Sequence, residues 1–175
     1  MTASPGGSGV SPGTGGSGVS PGSEPGRPGR ALGVDLGSRR IGLALSDPLG
    51  ILAGPLAVLL RTGDRAADHA AILRAAVENE AAMVVVGLPL SLSTGRPGPA
   101  AEATLAEVAE LAERAAALDP PVGVATHDER LTTVTAQRSL ATGGVRAKDR
   151  RAVVDKVAAA VMLQSWLDGR PRSHS

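Results

Sequence analysis

Three carboxylates that lie far apart in the chain, Asp35, Glu129 and Asp155, are the side chains best suited to do chemistry. Each lies within or beside an apolar stretch, where an unpaired charge is costly. The chain has no cysteine and no suitably spaced histidines, so an all-oxygen ligand set favours Mg²⁺ or Mn²⁺. Two such ions about 3.5–4 Å apart activate water and stabilise the leaving oxygen of a phosphodiester. The three acids therefore indicate metal-dependent hydrolysis.

Asp35 lies in a predicted β-hairpin, Ala31–Asp47, in which two runs of alternating apolar residues flank a tight turn. Asp35 shares one face of the first strand with small residues such as Gly33, and the second strand has a similar face. Such a face leaves room for a metal ion and a bulky ligand backbone. The alternative is that Asp35 is neutralised by turn amides or by Arg39 or Arg40.

Glu129 follows a second predicted strand, Val122–Thr126. In sheets with parallel strands, sites form beyond the carboxyl ends of those strands. The segment His127–Arg130 is therefore expected at the sheet edge that also holds Asp35. Within it, Asp128 is assigned as the N-cap of the next helix, and the longer Glu129 is predicted to reach inward.

Asp155 lies on the last predicted helix, which runs from about Asp149 to Leu167. At helical spacing it shares a face with apolar residues, namely Ala158, Ala159, Met162 and Trp166. An acid on such a stripe is paired or binds a ligand. Its neighbour Lys156 points about 100° away around the helix and is a poor partner. Arg130 is the alternative partner if Asp155 has a purely structural role.

Basic side chains surround these acids in the sequence and fit a phosphate backbone. Without the acids, the cluster before Asp155 would instead be the solvated start of a helix. The predicted nucleic-acid contacts are Arg39, Arg40, Arg130, Arg146, Lys148, Arg150, Arg151 and Lys156. The three histidines are assigned no role in the site.

The remaining segments predict an α/β fold with a five-stranded mixed sheet, in which three antiparallel strands are followed by two parallel ones, flanked by helices. The further predicted elements are a strand Ile51–Leu60, a helix capped by Asp64 and ending near Asn79, a strand Ala81–Gly87, a loop Leu88–Gly98, a helix Pro99–Leu118, a helix Leu131–Leu140 and a loop Ala141–Arg146.

Composition sets the domain boundaries and excludes several functions. The 175 residues include 23 Gly and 13 Pro, and GGSGVSPG occurs twice within the first 22 positions. Residues 1–29 are therefore predicted to be a disordered tail, 30–169 one domain, and 170–175 a flexible tail. The absence of cysteine excludes disulfides and thiolate chemistry, and an aromatic content of 1% argues against base stacking. With a formal charge of +1 and no long apolar segment, we expect a cytoplasmic protein that binds no membrane.

At this point the sequence resembles a known family, the YqgF proteins. These are ribonuclease H-like relatives of Holliday-junction resolvases that are assigned to pre-16S rRNA processing. The resemblance covers about Ala31 to Asp168 in four blocks, GVDLGSRRIGLALSD, VVVGLPLSLSTG, DERLTT and VDKVAAAVMLQSWLD. It implies a ribonuclease H-like fold and a metal-dependent endonuclease whose acids map to Asp35, Glu129 and Asp155. The family's Asn-Met-Asp-Gly loop is replaced here by Ser91–Gly95.

Several readings of the function remain open from sequence. The leading hypothesis is an endonuclease, and the resemblance implies 5′-end processing of pre-16S rRNA in ribosome biogenesis. The alternatives are a Holliday junction resolvase acting on branched DNA and a non-cleaving nucleic-acid-binding module of the same fold. A phosphate-binding loop of the sugar-kinase type is a weaker option, since the ordered region is too short for a second domain. The chain is expected to be a monomer or a homodimer.

Overall fold

A computed structural model describes residues 29–89, 98–128 and 147–170, with backbone only for 147–152. Residues 1–28 and 171–175 of the predicted tails, residues 90–97 of the predicted loop Leu88–Gly98, the predicted helix Leu131–Leu140 and its following loop fall outside these ranges. The described elements are β1 (Arg30–Leu36), β2 (Arg40–Ser46), β3 (Ala53–Leu60), α1 (Arg65–Glu78), β4 (Ala81–Leu88), α2 (Pro99–Ala116), β5 (Gly123–Asp128) and α3 (Ala147–Asp168).

The strands form one five-stranded sheet in the order β3-β2-β1-β4-β5. β1, β2 and β3 pair antiparallel, whereas β4 lies parallel to β1 and β5 lies parallel to β4. The predicted mixed sheet and its ribonuclease H-like arrangement are therefore confirmed. Because β1, β4 and β5 run the same way, their carboxyl ends reach one edge of the sheet.

Each face of the sheet has its own apolar core. Leu32 and Val34 of β1 pack in one core together with Ile72 of α1 and Leu111 of α2. On the opposite face, small residues such as Ala31 pack with the apolar stripe of α3 in a second core. The alternation of β1 predicts this division of faces, because successive strand side chains point in opposite directions.

The face of small residues is covered by α3, and the prediction that it leaves room for a ligand backbone is wrong over most of its length. A Cβ atom on Gly33 would lie 2.8 Å from Cβ of Leu163, closer than real Cβ contacts. Gly33 is therefore small because a helix packs directly against it.

Several element boundaries differ from prediction by a few residues. β3 begins at Ala53 rather than Ile51, because the amides of Ile51 and Leu52 donate to the carboxylate of Asp47 instead of to the sheet. β5 continues to Asp128, α2 ends at Ala116 and α3 begins at Ala147. The predicted N-cap of α1 is confirmed, since the Asp64 side chain accepts a hydrogen bond from the amide of Ala66.

None of the helices in the described ranges has the length and apolar content needed to cross a bilayer.

Candidate active site

Asp35 is the penultimate residue of β1 and is half-buried on the face that α3 covers. In the sheet it is paired with Gly42 of β2. The backbone of Asp155 lies directly over Gly42, because a Cβ atom on this glycine would collide with the Asp155 carbonyl group. Two acids separated by 120 positions, from 35 to 155, are thus brought together at the end of β1.

The electrostatics of Asp35 reflect this position. Burial raises the pKa of Asp35 above its ordinary value, and the negative charge of Asp155 raises this pKa further. Burial and like-charge repulsion both oppose ionisation, so a divalent cation beside the two carboxylates would stabilise their charged forms. The two acids fit such an ion in donor type and in charge.

Asp155 has an ion-pair partner that the sequence did not predict. Nε of Arg40 lies 3.0 Å from Oδ2 of Asp155. The side chains are 25% and 31% exposed, so the pair is accessible to solvent on one side. Sequence reasoning assigned Arg40 to nucleic acid and offered Arg130 as the structural partner of Asp155. Arg130 lies outside the described residues, and Arg40 occupies the partner's position in this structure.

The third predicted acid, Glu129, directly follows the described part of β5 and lies outside it. β5 ends at Asp128, which is paired with Leu88 of β4. His127 of β5 is paired with Gly87 of β4. The preceding residue of β4, Val86, is paired with Val34 of β1, which directly precedes Asp35. The strand therefore ends at the sheet edge that holds Asp35. Among the described residues, no group of three or more His, Cys, Asp or Glu side chains forms a metal site.

Apart from Arg40, the predicted basic contacts divide into three sets. Arg39 is exposed in the turn before β2, and Lys156 follows Asp155 on α3 with an intermediate exposure. Lys148, Arg150 and Arg151 lie in the first part of α3, where only the backbone is described. Arg146 lies outside the described ranges, as Arg130 does. The helix that carries Asp155 thus begins with a run of basic residues.

His127 contacts α3. Its Nε2 lies 3.0 Å from the hydroxyl of Ser165, a hydrogen bond whose direction depends on the tautomer. Burial lowers the pKa of His127, although the charge of Asp128 acts in the opposite direction. This contact joins β5 to α3.

Arg61 contacts the turn between Asp35 and Arg40, and this contact was not predicted from the sequence. It directly follows β3, and its Nε donates to the carbonyl oxygen of Gly37 at 3.0 Å, in the turn between Asp35 and Arg40. Its backbone amide donates to the carbonyl oxygen of Arg39, also at 3.0 Å. The available signal was an arginine placed immediately after an apolar strand, which needs a partner if it is buried.

The order and directions of the five strands match the ribonuclease H-like fold predicted for this chain. Within this class, the chain belongs to the family described as RuvX, Holliday junction resolvase, which matches residues 29–169.

Curated relatives agree with this membership. The chain is 49% identical over 147 residues to a protein of Mycobacterium sp. (strain KMS) named "Putative pre-16S rRNA nuclease", with 84% of this chain and 83% of the relative covered. A protein of the same name from Mycobacterium tuberculosis (strain ATCC 25618 / H37Rv) is 51% identical over 148 residues, covering 84% and 82%.

Among solved structures, the chain resembles Thermus thermophilus RuvC with a TM-score of 0.43 and 16% identity, covering 79% of this chain and 96% of RuvC. It also resembles T. thermophilus RuvC in complex with a Holliday junction substrate, with a TM-score of 0.45 and 15% identity over 77% and 91% of the chains.

Proposed function

We propose that this chain is a metal-dependent endonuclease that hydrolyses phosphodiester bonds in structured nucleic acid, with the 5′ end of pre-16S rRNA as its substrate in the cytoplasm. The observation that carries the proposal is the pairing of Asp35 with Asp155 at the carboxyl end of β1. A half-buried carboxylate whose pKa is raised by burial and by the charge of a second acid is costly for a fold unless a cation or a reaction uses the pair. Membership of the family and the names of the mycobacterial relatives support this reading.

The roles follow from position. Asp35, Glu129 and Asp155 would hold Mg²⁺ or Mn²⁺, of which Asp35 and Asp155 are the described pair. When bound, the metal ions supply an activated water and neutralise the leaving oxygen. Arg40 holds the carboxylate of Asp155 in one orientation through its ion pair. Arg39, together with Lys148, Arg150 and Arg151 in the first part of α3, would contact phosphates and so position the strand.

A second candidate is supported by the family description, which names Holliday junction resolution. Phosphodiester chemistry is common to RNA and DNA, so the acidic pair serves either substrate. A resolvase acting on two symmetric strands requires a two-fold dimer, whereas trimming one rRNA end does not. Sizing the protein with and without a four-way junction therefore separates the two candidates.

The direct test compares cleavage of 5′-extended 16S rRNA and of a four-way DNA junction in Mg²⁺, in Mn²⁺ and in chelator. Wild type is expected to cleave the RNA only with metal. Asp35→Asn and Asp155→Asn are each expected to lose about 100- to 1,000-fold in rate, because a lost ligand removes several kcal/mol of transition-state stabilisation. Asp168→Asn is the matched control, since Asp168 is an exposed acid at the far end of α3.

Equal cleavage by wild type and Asp35→Asn would remove the assigned role of this acid. Preferential cleavage of the junction would favour the resolvase. Binding of both substrates without cleavage of either, in either metal, would favour the non-cleaving module. Calorimetric titration with Mn²⁺ adds a readout that does not depend on activity, and we expect weaker binding by both Asn variants than by the Asp168→Asn control.

A further inference from the structure

Arg61 connects the turn after β1 to both helices on the opposite face of the sheet. Its guanidinium donates through Nε to the carbonyl oxygen of Gly37 and through its two terminal nitrogens to Glu107 of α2, at 2.6 and 3.2 Å. One terminal nitrogen also lies 3.5 Å from Oδ2 of Asp68 on α1. The Arg61 side chain is 17% exposed, and its two acidic partners are 9% and 2% exposed. One buried arginine therefore contacts three separate parts of the fold.

The arrangement restricts the position of the guanidinium. Glu107 accepts two parallel hydrogen bonds, which fixes the plane of the guanidinium group. Asp68 is itself held by the amide and hydroxyl of Thr62, at 3.0 and 2.8 Å. Burial raises the pKa of Asp68, but these Thr62 hydrogen bonds and the charge of Arg61 leave it below its ordinary value. The buried acids are charged partners in fixed positions, so Nε of Arg61 has little freedom.

The turn that Arg61 holds lies between two members of the candidate site. Asp35 precedes it in β1, and Arg40 follows it in β2. Arg61 binds both of its outer carbonyl groups, that of Gly37 through the side chain and that of Arg39 through the backbone amide. A shift of this turn would change where Arg40 meets Asp155, and it would also move the end of β1.

We propose that Arg61 is a positioning residue for the acidic site: through the turn at residues 37–39 it sets the place of Asp35 and Arg40 relative to Asp155. The inference rests on the proposed function and adds a determinant outside the three acids. This positioning role requires a planar group with three donor nitrogens, because the same guanidinium contacts Glu107, Asp68 and Gly37. A lysine cannot satisfy all three acceptors, because its side-chain donor protons all lie on one terminal ammonium nitrogen.

The simplest alternative is that Arg61 only joins α1 to α2. The chain offers a matched arginine for that role. Arg65 on α1 also bridges to α2, through Glu110 at 2.9 Å, but its pair is about half exposed and does not reach the turn. Comparing Arg61→Lys with Arg65→Lys therefore separates holding the turn from bridging the helices.

The test uses the full-length protein and two readouts, Mn²⁺ affinity by calorimetry and single-turnover plus steady-state cleavage of 5′-extended 16S rRNA. Replacing a residue that orients a metal ligand without itself binding the metal typically lowers metal affinity or activity by about 10- to 100-fold. Arg61→Lys is therefore expected to weaken Mn²⁺ binding and lower kcat by about 10-fold or more, with a smaller effect on KM for the RNA. Arg65→Lys is expected to match wild type in both.

A double-variant comparison adds a readout that general destabilisation would not move. Because Arg61 acts through the turn that carries Arg40, losses in Arg61→Lys and Arg40→Gln should not multiply in the double variant. Glu107→Asp supplies a second route if Arg61→Lys fails to fold. It keeps the buried charge pair but draws the guanidinium toward α2, and we expect kcat to fall in the same direction.

The outcomes for this inference and for the proposed function differ. Folded Arg61→Lys and Glu107→Asp proteins with wild-type kcat and Mn²⁺ affinity would overturn the positioning role, as would fully multiplicative losses in the double variant. A wild type that binds Mn²⁺ but cleaves no substrate would overturn the proposed function, while Mn²⁺ affinity would still decide the role of Arg61. A wild type that binds no Mn²⁺ would overturn both.

Discussion

Asp35 and Asp155 are two acids whose proximity acts against the stability of the fold. Both acids lie on or beside the face where α3 packs on the sheet, and burial together with mutual repulsion raises the pKa of Asp35. The ion pair between Arg40 and Asp155 offsets part of this repulsion, although it is partly exposed and therefore screened by solvent. At the residue scale, the two acids repel each other, and a bound cation would relieve this repulsion.

The first prediction concerns stability without metal. A carboxyl group whose pKa is raised in the folded state destabilises the fold when it is ionised, and this penalty disappears below the unfolded pKa of about 3.8. Thermal denaturation in chelator at pH 7 is therefore expected to give a higher melting temperature for Asp35→Asn than for wild type. The difference should shrink as the pH falls toward 4. An Asn variant that is less stable than wild type at pH 7 would contradict this account.

Strand alternation and helical spacing fixed which face of its element each of Asp35 and Asp155 occupies, while their role in a site stays a prediction. The sequence did not predict the ion pair of Asp155 with Arg40. Helical spacing correctly excluded Lys156, but the ion pair with Arg40 joins residues 115 positions apart, from 40 to 155, and follows only from how α3 lies over β2. Local periodicity contains no information on that packing.

At the scale of the elements, α3 determines whether the site forms. The helix approaches the sheet closely because Gly33 and Gly42 have no side chains where it packs. The small-residue face was read from the sequence as open space for a ligand. The pattern alone does not distinguish a face that admits a ligand from one that admits a helix, because both require small side chains.

The second prediction tests this close packing. Gly42→Ala would place a Cβ atom against the backbone of Asp155 and is expected to destabilise the fold by about 1–3 kcal/mol, as overpacking commonly does. It should also weaken Mn²⁺ binding, since α3 must move away from Asp35. Gly54→Ala is the matched control, because a Cβ atom on that strand glycine meets nothing within 4 Å. Urea denaturation measures the stability of both glycine variants, and equal unfolding midpoints for the two would refute the packing argument.

At the scale of the whole molecule, the sheet has an apolar core on each face, and the candidate site lies on only one of these faces. The face that packs on α1 and α2 holds the larger core, and the other face holds α3 with Asp155. The alternation of strands and helices was sufficient to predict this sheet and its directions. Exact ends of elements were less predictable, because local side chains such as Asp47 compete with the sheet for backbone amides.

The third prediction concerns the Gly/Ser/Pro segment. The family match begins at residue 29 and β1 begins at Arg30, so a chain that starts at Gly29 is expected to unfold at the wild-type temperature. A chain that starts at Leu32 is the comparison. It lacks Ala31, which is buried and donates its amide to the hydroxyl of Ser46 at 2.8 Å, so we expect a lower melting temperature. Loss of stability on removal of residues 1–28 alone would show that this segment belongs to the domain.

The position of α3 in the sequence has a consequence for biosynthesis. Ribosomes release a chain from its amino end, and domains fold in that order as they emerge. β1 and Asp35 are thus made before Asp155, which lies 120 positions further along the chain, from 35 to 155, on α3. A polypeptide whose synthesis has not reached α3 carries only one half of the acidic pair. If the proposed site needs both acids, each copy becomes competent to cleave only after α3 has been synthesised.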